Sequence, residues 1–237
     1  KKVVVLGPGG GKDILAALQF KPSKVVGIEL NPILVNDLVK GRFKKFTGDL
    51  YRRKDVTIHL GDGRAVLERL KERFDLVVAN SVVTLAAHSS GAMNLAENSL
   101  YTAEACELYL RRLTKKGILS VSLWDTASHS LPLRWMTTCG KAARKLGITS
   151  LVKRAAIVGN SYSDGSWFVN ILLSKSPWTA QQKQKLQQLS KQWKYPIHYL
   201  DGHSKNLKVY NSFFQDPAKF LKSFPYDLAP ATDNRPF

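Results

Sequence analysis

Short apolar runs alternate with amphipathic segments through the first half of the chain. Four runs are rich in β-branched residues and bounded by Gly, Pro or charged residues, as buried strands are. These runs are Val3–Leu6, Lys24–Glu29, Val56–Leu60 and Leu76–Ala79. Three segments between them have helical spacing: Asp13–Gln19, Pro32–Lys40 and Arg64–Lys71. The alternation predicts βαβ units, and therefore an α/β fold whose mostly parallel sheet carries helices on both faces.

The second half continues this pattern and then changes character. Helices are predicted over Thr102–Leu113 and Leu133–Leu146, and strands over Ile118–Leu123, Ala155–Val158 and Trp167–Ser174. After Pro177, the segment Thr179–Trp193 is a polar helix with Thr179 as its N-cap. Residues 195–237 are aromatic and Pro-containing, and we predict that they are irregular. The chain thus divides into a main domain, residues 1–176, and a C-terminal helix with an extension packed on it, residues 177–237.

The composition is that of a folded protein except for its charge. The 237 residues include 36 basic and 18 acidic side chains, a net charge of +18. Residues 1–107 hold 16 basic and 12 acidic side chains, whereas residues 108–237 hold 20 and 6. This excess suits an anionic partner such as a membrane surface, a nucleic acid or an acidic protein, and equally a solvated Lys-rich surface.

One stretch, Lys40–Lys54, concentrates seven basic residues and three aromatic residues. Basic side chains interleaved with aromatic rings suit phosphate contact with base stacking. They equally suit an anionic lipid surface. The third interpretation is an exposed connection between the second helix and the third strand. The sequence alone does not distinguish between these three interpretations.

The cysteines and the ends of the chain bear on its location. Cys106 and Cys139 are too few for a disulfide framework and form no CxxC pair, so we predict buried small hydrophobes in a reducing compartment. No apolar run reaches the roughly 18–20 residues of a membrane span, and no signal peptide is visible. Because the chain opens directly on a strand, we expect a domain cut from a longer protein. That domain would be cytoplasmic, or the cytosolic part of a membrane protein.

Residues that suit a nucleoside follow three successive predicted strands. The turn Gly7–Asp13 lets a ligand approach the backbone closely through its four glycines: Gly7, Gly9, Gly10 and Gly11. Glu29 ends the second strand and can accept both ribose hydroxyls. Asp62, beside Gly63 after the third strand, can accept the adenine amino group. Each carboxylate could instead cap the following helix, but the three features together favour a nucleoside crevice.

These residues resemble the spermidine synthase-like branch of the S-adenosylmethionine-dependent transferases that have the class I methyltransferase fold. The similar motifs are Gly7–Asp13, Gly27–Pro32, Gly61–Arg64, Phe74–Val78 and Ala96–Ala105, and the ending Thr232–Phe237 resembles a motif of bacterial membrane proteins that carry such a domain. The resemblance implies a Rossmann-like, seven-stranded sheet, a small-molecule substrate, and S-adenosylmethionine or its decarboxylated form as cofactor. It implies Glu29 on the ribose, Asp62 on the adenine, and a reacting centre after the fourth strand. The family is often dimeric, although its N-terminal hairpin is absent from this chain.

The chain departs from the synthases where their carboxylates hold the attacking amine. Asn80 and Val83 stand at positions of the synthases' Asp-rich segment, and neither can accept a proton. The Asp after the family's glycine loop aligns with Gly11, and Asp13 either replaces it or only favours the helix dipole. Methyl transfer mainly needs positioning, so we favour it over aminopropyl transfer. Two alternatives stay open: a genuine polyamine aminopropyltransferase, and a degenerate domain that binds membranes or nucleic acid.

Candidate catalytic residues come from the end of the fourth strand and the stretch after it: Asn80, His88, Glu97 and Tyr101. Asn80 is also a candidate contact to the cofactor. His88 is a candidate because imidazole as a group titrates near neutrality, although a loop histidine is more often simply exposed. Glu97 could act as acid, base or amine ligand, and Tyr101 as a lid over the substrate or as part of the core.

Two later positions have open roles. Asp125 at the end of the fifth strand could touch substrate or cap a helix. Asp233 and Arg235 could fold back on the site or pair with each other, and we favour a structural role for them.

Overall fold

The computed structural model, which describes residues 1–80, 99–125, 128–161, 167–204 and 207–236, is built around one sheet. Its strands are β1 (Lys2–Leu6), β2 (Lys24–Glu29), β3 (Val56–Leu60), β4 (Phe74–Asn80), β5 (Leu113–Asp125), β6 (Ala155–Ser161), β7 (Trp167–Ser174) and β8 (Ile197–Leu200). They lie in the order β3-β2-β1-β4-β5-β7-β6-β8. β1 to β5 run parallel, β7 is antiparallel to both β5 and β6, and β8 is antiparallel to β6. The predicted α/β fold with a mostly parallel sheet is confirmed.

Helices cover both faces of the sheet. They are α1 (Lys12–Leu18), α2 (Gly63–Arg69), α3 (Ala103–Arg112), α4 (Ser130–Lys145), α5 (Ala180–Trp193), α6 (Lys208–Gln215) and α7 (Pro217–Ser223), with a π-helix over Leu34–Arg42 and 3-10 turns at Leu50–Arg52 and Ser99–Tyr101. α1 and the π-helix pack on one face, and α2, α3, α4 and α6 pack on the other. None of these helices, within the described ranges, is both long and apolar enough to cross a membrane.

Burial on both faces explains why the first strands are continuous hydrophobic runs. In β1, Val4 and Leu6 face one layer of helices, while Val3 and Val5 face the other. Parallel strands covered on both sides show this composition instead of strict alternation. The strand order reverses between β1 and β4. In open α/β sheets, the carboxyl edge at such a reversal is where ligands bind.

The C-terminal extension is more regular than the sequence predicts. The resemblance implies seven strands, and the described residues form eight because β8 adds to the edge of the sheet beside β6. Residues 208–223 form α6 and α7 instead of irregular chain. Tyr199 of β8 stacks on Phe214 of α6 at a centroid distance of 4.0 Å. A four-residue strand and two short helices are too brief to show a periodicity, and their order comes from such aromatic packing. The predicted N-cap of α5 is confirmed, since Thr179 forms a capping box with Gln182.

The two cysteines correct one expectation. Both side chains are fully buried, as predicted. They are not independent hydrophobes, however, because Cys106 on α3 and Cys139 on α4 form a disulfide with a Cα–Cα distance of 5.7 Å. The bond joins two helices that the sequence separates by 33 residues. The cysteines therefore no longer argue for a reducing compartment.

Candidate active site

The carboxyl edge of the sheet gathers the predicted nucleoside-binding residues. The glycine turn follows β1, Glu29 ends β2, Asp62 follows β3 and Asn80 ends β4. Main-chain bonds join the neighbouring strand ends: Gly7 N–H donates to the Ile28 carbonyl at 2.9 Å, and Gly61 N–H donates to the Glu29 carbonyl at 2.9 Å. The topology therefore brings these candidates to one edge of the molecule.

The glycine turn adopts a backbone that favours glycine. Gly7, Gly9 and Gly11 have positive φ angles of 60°, 53° and 93°, a region that costs other L-residues about 1–2 kcal/mol. Gly11 is the N-cap of α1, and a Cβ added there would lie 2.4 Å from Leu50 Cδ2. At Gly9 and Gly10 an added Cβ would meet nothing within 4 Å. The turn is therefore packed on its inner side at Gly11 and open at Gly9 and Gly10.

Glu29 is held rigidly against this turn. Its Oε2 accepts the Gly9 N–H at 3.0 Å and its Oε1 accepts the Asn31 N–H at 3.0 Å. The residue is only 8% exposed. It does not cap the following helix, because the Asn31 side chain accepts the N–H groups of residues 33 and 34. The alternative of Glu29 as a helix cap is thus not realised.

Tyr51 is a site residue that the sequence did not reveal. It lies in the stretch Lys40–Lys54, one interpretation of which is an exposed connection, yet it is 4% exposed and its hydroxyl donates to the Gly9 carbonyl. Burial, and secondarily the negative charge of Glu29, raises the pKa of the Tyr51 hydroxyl well above its usual range. A neutral Tyr51 therefore braces the turn together with Glu29. By contrast, Phe46 of the same stretch is 91% exposed.

Asp62 takes the capping role considered for it. Its Oδ1 accepts the Ala65 N–H at 2.8 Å and so caps α2. Within the described residues, its Oδ2 makes no hydrogen bond. Gly63 stands next to it at the start of α2, where an added Cβ would lie 3.3 Å from Leu100 Cδ2. The cap fixes the carboxylate at the edge and leaves one oxygen for a ligand.

Asn80 belongs to a polar network on β4, β5 and β7. Its Oδ1 accepts from Ser122 Oγ at 3.0 Å and from Asn170 Nδ2 at 3.2 Å, and Ser120 Oγ lies at 3.3 Å. Asn170 Nδ2 also contacts the oxygens of Ser120 and Ser122, at 3.0 and 2.8 Å. Asn80 Nδ2 has no partner in the described part of the chain. Ser120, Ser122 and Asn170 could not be predicted, because the three strands become neighbours only in the folded sheet.

Asp125 is buried and does not cap the following helix. It lies on the same face of β5 as Val121 and Leu123, which belong to the main core, and its Oδ2 lies 3.1 Å from His129 Nδ1. The residue that caps α4 is His129, with φ 55°. The ring of His129 lies 5.6 Å from that of Tyr210, whose hydroxyl pKa is raised by burial and then by Asp125. This cluster lies in the core beneath α6.

The remaining catalytic candidates are dispersed. Tyr101 is 3% exposed and packs edge-to-face on Trp135 at 5.8 Å, which places it in the core. Asp13 lies in the first turn of α1, where its charge suits the helix dipole. His88 and Glu97 lie outside the described residues. Among the residues that are described, no three His, Cys, Asp or Glu side chains form a group that could hold a metal ion.

The C-terminal segment closes on this edge through an ion pair. Arg64 Nη1 and Nη2 donate to the two Asp233 oxygens at 2.7 and 2.9 Å. Thr102 Oγ1 contacts Asp233 Oδ1 at 2.7 Å, and Arg64 also donates to the Ser99 carbonyl at 3.1 Å. Arg235 pairs instead with Asp227 at 2.6 Å. Asp233 and Arg235 therefore do not pair through their side chains, and Asp233 ties the start of α2 to the segment before α3.

Replacing Asp233 by asparagine should destabilise the fold in a pH-dependent way. Arg64 holds the pKa of the Asp233 carboxyl below its ordinary range. The contribution of the Arg64–Asp233 ion pair to stability is therefore present above the ordinary Asp pKa. It is lost as pH falls through the lower pKa that Asp233 has in the folded protein. We expect D233N to lose about 1 kcal/mol at neutral pH, since the pair is partly solvated.

Urea unfolding of wild type and D233N from neutral pH down to acid measures this difference. The two proteins should converge in stability at the acid end. A gap that stays constant across the whole range would contradict the ion-pair explanation. D227N is the matched control and should lose less, because Asp227 and its partner Arg235 are both more exposed than Arg64.

The strand order and the glycine turn define a Rossmann-like fold of the class I methyltransferase type. Solved structures of spermidine synthases share this fold. One, in complex with the transition-state analogue AdoDATO, superposes with a TM-score of 0.52 and 15% identity, over 99% of this chain and 62% of that chain. The enzyme from Thermotoga maritima gives 0.54 and 16%, over 99% and 63%. A probable spermidine synthase from Corynebacterium glutamicum gives 0.54 and 15%, over 80% and 61%.

These similarities establish the fold. The chain spans less than two thirds of the length of each of these structures. No protein-family profile matches the sequence. No curated protein matches it in sequence either.

Proposed function

We propose that the chain is a transferase that takes its transferred group from an S-adenosyl nucleoside, S-adenosylmethionine or the decarboxylated form. The observation that carries this proposal is the Glu29 carboxylate, which two backbone N–H groups hold at the edge. Each carboxylate oxygen has two lone pairs, so each keeps one for a ligand. The paired hydroxyls of a ribose are the matching donors.

The neighbouring residues support the same ligand. The uncommitted Oδ2 of Asp62 suits the amino group of adenine. The open backbone at Gly9 and Gly10 admits a bulky group close to the main chain. When bound, the cofactor supplies an electrophilic carbon on a sulfonium sulfur. The residues of this chain bind the nucleoside, orient it and place it beside Asn80.

Methyl transfer fits the site better than aminopropyl transfer. An amine acceptor that is protonated in water must lose a proton before it attacks, and a carboxylate near the reacting centre serves that purpose. Asn80 is an amide, and its Oδ1 is already engaged by Ser122 and Asn170. Asp125, the acidic residue that ends β5, is turned into the core against His129. Methyl transfer to an acceptor that is already neutral requires neither residue as a base.

Calorimetry with three ligands tests both the nucleoside site and the choice of methyl transfer over aminopropyl transfer. We expect methylthioadenosine, which has the nucleoside without a charged side chain, to bind. We expect S-adenosylmethionine to bind at least as tightly as its decarboxylated form, because Gly11 offers no carboxylate to the decarboxylated cofactor's amine. Binding of none of the three would contradict the nucleoside site. A decarboxylated form that binds about tenfold tighter would instead favour aminopropyl transfer, a difference of about 1.4 kcal/mol.

A further inference from the structure

A second concave surface lies at the opposite, amino-terminal edge of the sheet. It is a groove of about 820 Å³ between the chain before β4, the C-terminal end of α3, the start of β5 and the end of β7. Six cationic side chains line it: Lys71, Arg73, Arg111, Arg112, Lys115 and Lys175. Glu68 is an acidic residue on its wall. We call this surface the basic groove.

The cations of the basic groove are poorly compensated by carboxylates. In the described part of the chain, Lys71, Arg73 and Lys115 have no ion-pair partner. Glu72 is engaged outside the groove, where it binds Lys2 and Lys24, both at 2.6 Å. Glu107 bridges Arg111 and Lys145. Glu68 on the wall makes no ion pair in the described part of the chain, and its single carboxylate is far from balancing six cations. Like charges gathered in this way repel one another, so an anion entering the groove would relieve that repulsion.

Two of the cations are fixed by groups that leave their charge intact. Lys175 Nζ donates to the Leu113 carbonyl at 3.1 Å, and an Arg112 Nη donates to the Glu68 carbonyl. A carbonyl orients a cation without cancelling its charge. Burial, and then the positive charge of Arg73, lowers the pKa of Lys175. Arg112 Nε is also buried and has no hydrogen-bond partner among the described residues. The groove therefore holds oriented donors and net positive charge.

The shape of the groove decides between anionic partners. Half-buried Leu108, Leu146 and Ile148 form its apolar lining, and the cations surround them. A flat bilayer reaches only exposed cations such as Arg73 and Lys115. A compact ligand that enters the groove can also contact the half-buried Arg112 and Lys175. We propose that the basic groove binds a small, multiply phosphorylated ligand from solution. This site is separate from the carboxyl edge and does not depend on the proposed transferase function.

Titration with inorganic tripolyphosphate at low salt tests the basic groove. The test variant is Arg73→Glu/Lys115→Glu, since both side chains are exposed and unpaired within the described chain. The matched control is Lys45→Glu/Lys54→Glu, which changes the net charge equally in the other basic stretch. We expect wild type to bind, the groove variant to bind at least about tenfold more weakly, and the control to stay within about threefold of wild type.

Several outcomes would overturn the proposal. They are no binding by wild type, an unchanged affinity in the groove variant, and an equal loss in both variants, which would mean non-specific attraction to the net charge. Arg73→Gln/Lys115→Gln, with thermal unfolding recorded for every variant, keeps the test valid if the charge reversal unfolds the protein. Vesicles of phosphatidylcholine and phosphatidylserine form a second arm. Groove-dependent vesicle binding without tripolyphosphate binding would assign the surface to a membrane and reject the soluble ligand.

Discussion

Glu29→Ala should abolish measurable nucleoside binding while the protein remains folded. The substitution removes two charge-assisted acceptors for the ribose hydroxyls, each worth about 1.5–3 kcal/mol. We therefore expect methylthioadenosine affinity to fall by at least about a hundredfold, because each 1.4 kcal/mol corresponds to a factor of about ten. Calorimetry of wild type and variant measures the loss directly.

The same variant should also lose stability, for a separate reason. The N–H groups of Gly9 and Asn31 would lose their shared acceptor. Unpaired amides in a part-buried position cost about 1–3 kcal/mol each when water does not replace the partner. Glu29→Gln separates the two effects, since it keeps an acceptor for one amide but removes the negative charge. We expect it to be more stable than the alanine variant and still deficient in binding.

Asp55→Asn is the control for loss of a carboxylate. Asp55 lies before β3 at the opposite edge of the sheet, where it is paired with Arg53. Its replacement should leave nucleoside affinity unchanged. Wild-type affinity in Glu29→Ala, measured with folded protein, would remove the central support for the transferase proposal.

Gly11→Ala should destabilise the protein by about 2–5 kcal/mol. The φ of 93° costs an alanine about 1–2 kcal/mol. The added Cβ would also lie 2.4 Å from Leu50 Cδ2, and overpacking of this kind costs about 1–3 kcal/mol. Leu50 is 1% exposed, so its side chain has little room to relieve the clash. Chemical denaturation measures the loss as a shift of the unfolding midpoint.

Gly10→Ala, one residue earlier, is the matched control. Gly10 has no positive φ, and an added Cβ would meet nothing within 4 Å. We expect a stability change within about 0.5 kcal/mol, as at other unconstrained surface positions. If the nucleoside lies against this backbone, Gly10→Ala should weaken its binding without unfolding the protein. Equal stability of the two alanine variants would contradict the strain assigned to Gly11.

The local sequence pattern was sufficient to predict the strands and the functional candidates at their ends. A strand such as Val3–Leu6 is buried on both faces, so its composition alone identifies it. Parallel βαβ connections then oblige the carboxyl ends of β1 to β4 to meet at one edge, which is why Glu29, Asp62 and Asn80 stand out in the sequence. The same reasoning does not predict the order of the C-terminal extension, because β8 is four residues long and is ordered by aromatic packing on α6.

Contacts between distant segments could not be predicted in the same way. Arg64 and Asp233 are 169 positions apart, and nothing in either sequence neighbourhood indicates the other. Asn80 and Asn170 meet because β5 pairs with both β4 and β7. The basic groove could not be predicted for the same reason, since its cations come from distant segments around residues 71, 112 and 175 that meet only in the folded protein.

The sequence by itself determined the α/β class, the strand ends and the candidate carboxylates, because these depend on short-range periodicity and on chain connectivity. Only the tertiary structure decided what each polar group does once folded. It committed Asp125 to the core, Tyr51 to the glycine turn, Cys106 to a disulfide and Asp233 to Arg64. Burial and pairing of this kind depend on which distant residues arrive beside a group, and that information exists only after the sheet has assembled.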